Sequence, residues 1–420
     1  MRLVKEPLAA ALSLRPTGLE PVAFCSGGRR SIQLSYGRTV IANCRLANAN
    51  CKKYNHSMQL PEIQRRKTRA VAVGGVTIGG DAPVSIQSMT NTPTADAKAT
   101  IAQVEALAAA GADLVRVAVP TRRDTAALKE IVAAAPCPII ADVHFNFERA
   151  LEAIDAGAAK IRLNPGNISD RARVRRVIAA AADAGVAIRV GVNEGSVVER
   201  RKGDKRAADL ARPLDELMAE KLAEYLEIFA EADFHKLVLS AKSHDAMVCI
   251  AANRRIAARW DYPLHLGVTH AGTAETGAIR SAAAIGALLA EGIGDTIRVS
   301  YAGDPAAEVR AAAELLASLR LRRREGVDLV ACPTCGRLQI DIAPIVEEVR
   351  LALADVKAPI TVAIMGCVVN GPGEADNADV AICAGKGKAI LYRKGKKLRT
   401  IKGDEIVEAV TAEVKKLARR

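Results

Sequence analysis

From about residue 84 the chain alternates between two kinds of segment, and it does so eight times. Runs rich in Val, Ile and Leu end in polar residues, and each is followed by an Ala-rich stretch with helical spacing. The runs are Val84–Asn91, Asp113–Pro120, Pro138–Phe145, Lys160–Asn167, Ala187–Gly195, Lys236–Ser243, Leu264–Gly272 and Thr296–Gly303. Between the first two, Ile101, Val104, Leu107 and Ala108 fall on one helix face. Ala110-Gly111-Ala112-Asp113 and Ala156-Gly157-Ala158 repeat one helix-to-strand turn, with Gly ending the helix. Eight βα units in about 240 residues predict an α/β fold of the (β/α)8 TIM type. A doubly wound open sheet is the rival. It usually carries a phosphate-binding glycine fingerprint after its first strand, and neither GxGxxG nor a P-loop pattern occurs.

After Arg324 the rhythm changes. Strands are expected at Val327–Ala331, Ile360–Met365, Asp379–Cys383 and Lys388–Arg393, with helices around Ile345–Leu353 and Asp404–Ala418. These predict a small α+β domain over 325–420, joined through the charged Leu321–Gly326 linker to a barrel over 58–324. Residues 1–57 mix Gly, Ser, Arg and Asn without a sustained period. They lack the apolar core or amphipathic face of a targeting peptide. The preferred reading is an extension outside the fold, with Met58 as the native start, which N-terminal sequencing would check.

The chain carries a formal net charge of +13, and residues 1–57, with nine basic and two acidic residues, account for +7 of it. The remaining 13 − 7 = +6 suits an enzyme of an anionic substrate as well as it suits a polynucleotide binder. Nine scattered cysteines with one CxxC pair do not form a secreted disulfide framework, and they suggest a cytoplasmic location. No apolar run reaches membrane-spanning length.

Parallel barrel strands are covered on both faces and should read as apolar. Here six of the eight runs carry Arg116, His144, Arg162, Arg189, Lys242 or Arg298 towards their C-terminal ends. Arg162/Asn164, Arg189/Asn193 and Arg298/Ser300 sit at even offsets, hence on one strand face. A buried cation needs an anion. Asp142 could neutralise one, but acidic residues on these runs are fewer than basic ones. An anionic substrate at the barrel mouth is the preferred explanation, and planar guanidinium forks suit phosphate or diphosphate oxygens. The basic loop Arg200–Arg206 reads first as a solvated loop and second as a lid.

Cys332 and Cys335 form the CxxC, and Cys367 follows in Met365-Gly366-Cys367-Val368-Val369-Asn370-Gly371-Pro372-Gly373-Glu374. No histidine occurs after His270, so a local Cys3His zinc site is excluded, and Cys383 reads as a core cysteine. Three thiolates plus a carboxylate, Glu374, suit an iron–sulfur cluster with one iron more weakly held.

With these residues in hand, the chain resembles the 4-hydroxy-3-methylbut-2-enyl diphosphate synthases of the non-mevalonate isoprenoid pathway, from about Pro61 to the C-terminus. The likeness rests on Ala331–Arg337 and Met365–Glu374, and on Ser85–Asn91, Ala141–Phe145 and Arg162–Asn167 in the barrel. It implies a [4Fe–4S] cluster held by Cys332, Cys335, Cys367 and Glu374. It also implies reductive ring opening of 2-C-methyl-D-erythritol 2,4-cyclodiphosphate, electrons from ferredoxin or flavodoxin, and a homodimer. Substrate contacts carry over to Arg116, His144, Arg162, Asn164, Arg189, Asn193, Lys242, Arg298 and Ser300. One departure stands out: where the family commonly reads Thr-Glu-Ala-Gly, this chain has Thr269-His270-Ala271-Gly272. His270 is expected to take the acid–base role, with Glu275 as the alternative.

Two other classes are weighed. A zinc-ribbon nucleic-acid binder would present aromatics on its basic face, yet Tyr392 is the sole aromatic after residue 324. A non-redox barrel transferase with a structural cluster is separated from the preferred reading by whether Glu374 leaves an iron open to substrate.

Overall fold

The computed structural model describes residues 62–143, 146–164, 170–197, 212–367, 373 and 376–419. The chain divides into residues 1–61 and 62–420, and the expected extension over 1–57 lies outside the described residues. So do the basic loop 200–206, His144 and Glu374.

A short antiparallel hairpin comes first: β1 (Val71–Val73) and β2 (Val76–Ile78), turned by Gly74 at φ 57°. Eight parallel strands follow: β3 (Ser85–Met89), β4 (Leu114–Ala118), β5 (Ile139–Asp142), β6 (Lys160–Leu163), β7 (Ala187–Asn193), β8 (Leu237–Lys242), β9 (His265–Leu266) and β10 (Thr296–Ile297). Their order is β8-β7-β6-β5-β4-β3-β10-β9. Leu239 in β8 bridges Leu264 just before β9, and its N–H donates to Pro263 O at 2.9 Å, so the sheet's two ends meet as a barrel. Each expected run contains one of these strands, with β9 and β10 much shorter than their runs.

Local chemistry sets the helices between strands. Asp170, Asp245 and Asp304 each accept two backbone N–H groups at a helix start. Gly111, Gly157 and Gly185 follow helix ends at φ 105°, 89° and 68°, a left-handed conformation that L side chains resist.

Strand alternation then sorts the side chains. Val115, Val117, Ile139, Ile161 and Ile188 face outward and pack with the helices in the main core. Leu114, Ile140, Ala187 and Val238, one residue out of phase, instead join Val71, Val73 and Ile78 in a separate cluster. The hairpin therefore plugs the N-terminal end of the barrel. Burial of each large aliphatic there contributes about 1.5–3 kcal/mol.

The C-terminal sheet contains β11 (Asp328–Ala331), β12 (Thr361–Met365), β13 (Val380–Gly385), β14 (Lys388–Arg393) and β15 (Lys396–Lys402), in that order. The first three are parallel and the last two antiparallel. Helices Ile342–Ala352 and Ile406–Ala418 supply Val349, Val410 and Val414 to a core with Val362, Ile364 and Ile382. Strand β15 is a finding beyond the sequence expectation: of its seven residues only Ile401 is buried, so it shows no apolar alternation.

Candidate active site

Above the hairpin plug the barrel interior turns polar. Arg116, Lys160, Arg162, Arg189 and Lys242 are buried, and Arg298 is 17% exposed. Two carboxylates face them among the described residues. Asp142 reaches Arg162 Nη1 at 3.3 Å and Arg116 Nε at 3.7 Å, and Glu308 reaches Arg298 Nη2 at 3.4 Å. Arg116 also donates to Met89 Sδ, at 2.9 Å from Nη2. The register pairs Arg162 with Arg189 and Asn193 with Lys242, so these side chains occupy neighbouring levels of one lumen. Gly267 makes room at Lys242: a Cβ there would lie 2.6 Å from Nζ.

Six cations against two carboxylates leave donors unanswered. Arg189 Nε and Nη1, Lys160 Nζ, Arg162 Nε and Arg298 Nε lie buried without a hydrogen-bond partner. Burial, then Arg116 and Arg162, hold the Arg189 guanidinium well below its ordinary range. Burial, then Arg189 and Arg116, do the same to the Lys160 and Lys242 ammonium groups. The Arg298 guanidinium, pushed down first by burial and then by Arg116, falls to about 10. An enclosure of this kind strongly favours a polyanion, because an uncompensated buried charge costs several kcal/mol.

The expected residues do not all stand alike. Asn164 is buried, Asn193 is half-buried at the end of β7, and Ser300 Oγ donates to Val268 O at 2.9 Å. His270 is exposed and adopts φ 52°, while Glu275 is exposed at the start of the following helix. The sequence reading missed Lys160, although it lies two residues before Arg162 on the same strand face. It also missed His265, wholly buried with both ring nitrogens unpartnered. A third group stitches two strand ends at the mouth. The Glu194 carboxylate accepts from Ser243 Oγ at 2.5 Å and from His244 N at 3.2 Å, and lies 2.8 Å from His244 Nδ1.

The thiols lie at the ends of neighbouring strands in the C-terminal sheet. Ala331 registers with Ile364, so Cys332 and Cys367 follow strands that end side by side. Gly366 N donates to Cys332 Sγ at 3.2 Å, and Gln339 N donates to Gly366 O at 2.9 Å. A Cβ at Gly366 would meet Leu338 Cδ2 at 2.2 Å, so Leu338 packs directly over this strand end and would have to turn aside for a larger residue. Hydrogen bonds from Arg337 pull the exposed Cys335 thiol below the ordinary range, and Arg337 also feels Cys367. Cys332 and Cys367 are half-buried, whereas Cys383 is wholly buried opposite Met365. Among the described residues no three His, Cys, Asp or Glu side chains close on a single ion. A cluster differs from a single ion: its ligands each take a separate iron and stand further apart. Amide-to-sulfur donation and an adjacent cation favour thiolates, as cluster ligation requires.

The GcpE TIM-barrel domain matches residues 68–313, and the GcpE protein C-terminal domain matches residues 328–416. The chain belongs to the GcpE family. The barrel match spans every lumen cation described above, and the C-terminal match spans Cys332, Cys335, Cys367 and Glu374. GcpE relatives named 4-hydroxy-3-methylbut-2-en-1-yl diphosphate synthase (flavodoxin) include that of Geobacter sulfurreducens, 47% identical over 84% of this chain and 98% of the relative. That of Thermodesulfovibrio yellowstonii is 46% identical over 84% of this chain and 100% of its own length. Membership makes this GcpE chain an oxidoreductase of isoprenoid biosynthesis with a TIM barrel. Among solved structures, a dihydropteroate synthase from Xanthomonas albilineans gives a TM-score of 0.42 at 16% identity, over 60% of this chain and 98% of that one. Among the described residues no helix is long and apolar enough to cross a membrane.

Proposed function

We propose that this chain converts 2-C-methyl-D-erythritol 2,4-cyclodiphosphate to 4-hydroxy-3-methylbut-2-enyl diphosphate. One carbon–oxygen bond to the ring diphosphate breaks, a hydroxyl leaves as water, and two electrons and protons are taken up. The observation that carries the reading is the excess of buried cations in the barrel lumen, whose unpartnered Arg189, Arg162 and Arg298 nitrogens suit diphosphate oxygens.

In this reading Arg116, His144, Arg162, Asn164, Arg189, Asn193, Lys242, Arg298 and Ser300 bind and orient the substrate. Lys242 and the arginines neutralise the diphosphate, which makes its ring oxygen a better leaving group. Cys332, Cys335, Cys367 and Glu374 hold a [4Fe–4S] cluster. When bound, the cluster supplies the electrons one at a time and an iron that a substrate oxygen can approach. Flavodoxin or ferredoxin would be the source of those electrons, and the working form is a cytoplasmic homodimer. His270 donates a proton to the departing hydroxyl. Its exposure leaves the imidazole free to exchange protons with solvent, and closure over the substrate would bring it into reach.

Anaerobic purification tests the reading directly. The expected product is brown protein with about four irons and four sulfides per chain, an electron paramagnetic signal on reduction, and turnover of the cyclic diphosphate. A colourless, zinc-loaded protein would overturn it. His270→Ala should slow single turnover and shift its pH profile; an unchanged profile removes His270 from the acid–base role.

A further inference from the structure

We propose that the β14–β15 hairpin of the C-terminal sheet is the docking surface for an acidic electron-carrier protein. This rests on the redox reading above. Residues 386–402 hold eight Lys or Arg and no Asp or Glu. Among the described residues only Arg393 of the eight is ion-paired, with Glu413, and the other seven are exposed.

Several exposed cations elsewhere are neutralised. Arg171 and Arg175 share Glu231, Arg254 pairs with Glu291, and Arg350 pairs with Glu347. The hairpin is distinguished by density, with seven exposed cations and no carboxylate within seventeen residues. Blunting a sheet edge against self-pairing needs a charge or two on the edge strand. Here charges also crowd both turns, at Lys386 and Lys394, and the inner strand β14, at Lys388. Leu398, 43% exposed, stands among them as an apolar centre with a charged rim, the usual anatomy of a docking patch.

Position adds a reason. Strand β14 is two strands from β12, about 10 Å at ordinary sheet spacing. Strand β13 runs parallel to β12, so the Lys386–Gly387 turn lies at the end of the sheet where β12 leads into Cys367. A carrier held on the hairpin would stand near the thiols. The charge selects an acidic partner and raises its encounter rate in a salt-dependent way.

The test compares two electron donors on the cluster-loaded full chain: reduced flavodoxin, and methyl viologen reduced by dithionite. In the variant K386E/K388E/K402E, which changes the cations at the thiol end of the hairpin, the flavodoxin KM should rise at least about ten-fold and lose most of its ionic-strength dependence. The methyl viologen rate should stay within about two-fold of the parent, because a small reductant needs no docking face. An unchanged flavodoxin KM and salt slope would overturn the proposal. So would loss of binding to anionic vesicles or single-stranded DNA with flavodoxin turnover intact, since the patch would then serve those ligands. Should the reversal variant lose both donors, K388Q/K402Q decides: a flavodoxin-specific defect supports docking, and an equal loss with both donors overturns it. A parent enzyme inactive with either donor would instead sink the redox reading itself.

Discussion

The barrel lumen and the thiol loops solve opposite problems. In the lumen, basic side chains are buried on regular strands, and strand alternation dictates where each one points. In the C-terminal domain, three thiols sit just past strand ends, half-buried or exposed, on loops held by single hydrogen bonds such as Gly366 N to Cys332 Sγ. A lumen of cations must be rigid before its ligand arrives, because relaxation would let the charges pair or reach water. A cluster organises its own ligands, since metal-binding free energy is also folding free energy. The first region is expected to store strain without substrate, and the second to lose order without metal.

The largest effect should come from Cys367→Ser. It removes a proposed cluster ligand, and turnover should fall at least about 100-fold, beyond what loss of an outer-shell partner produces. Calorimetric binding of the cyclic diphosphate to the barrel should persist. Full iron content and parental turnover would break the contrast from the thiol side. Arg189→Met attacks it from the other side. Substrate affinity should weaken by about 2–5 kcal/mol, the loss typical when one partner of a buried charge contact is truncated. The substrate-free protein should become more stable by about 1–4 kcal/mol, as when buried charges give way to apolar groups. A drop in the substrate-free melting temperature would mean that the lumen already neutralises Arg189 internally.

How far each region was legible follows from the same difference. Period-two alternation put Arg162, Arg189 and Arg298 on the inner face because a strand leaves no other choice. It also contained Lys160 and His265. Attention to strand ends passed over them, since Lys160 begins its strand and His265 sits in an otherwise apolar run. The hairpin Val71–Ile78 gave little signal, being two three-residue strands whose partner is the barrel floor. The cysteines were legible as residue types at a spacing. The closeness of their loops is held by hydrogen bonds from Gly366 N to Cys332 Sγ and from Gln339 N to Gly366 O, which no periodicity encodes. At His270 the chain reads as a departure from its family pattern. The left-handed backbone at φ 52° was invisible in the sequence, because histidine is not the residue such a turn demands.

A smaller change sharpens the rigidity argument. In Gly267→Ala the new Cβ would fall 2.6 Å from Lys242 Nζ and 2.9 Å from Arg298 O. The backbone carbonyl cannot retreat easily, so the ammonium must move. Overpacking of this kind costs about 1–3 kcal/mol, and most of it should appear as a raised substrate KM. An unchanged KM with parental stability would show that the lumen is softer than its packing implies.

The smallest expected effect concerns pH and His265. Burial, then Lys242 and Arg189, hold its imidazolium well below the ordinary histidine range in the folded, substrate-free protein. Unfolded, the ring titrates near its usual value of about 6.5. Between those two values the unfolded state binds a proton that the folded state refuses, so stability rises with pH across the window and is lost as pH falls through it. Below the folded value both states are protonated and the loss levels off. His265→Gln should remove this component and leave the carboxylates' own acid sensitivity intact. Urea midpoints from about pH 5 to about pH 8 should therefore fall less steeply on acidification in the variant than in the parent. Bound diphosphate should flatten the parent's slope as well, because an anion in the lumen offsets the cations that oppose protonation. Equal slopes for parent and variant would mean that the folded protein admits a proton at His265 after all, and that the lumen's floor is less hostile to charge than its middle.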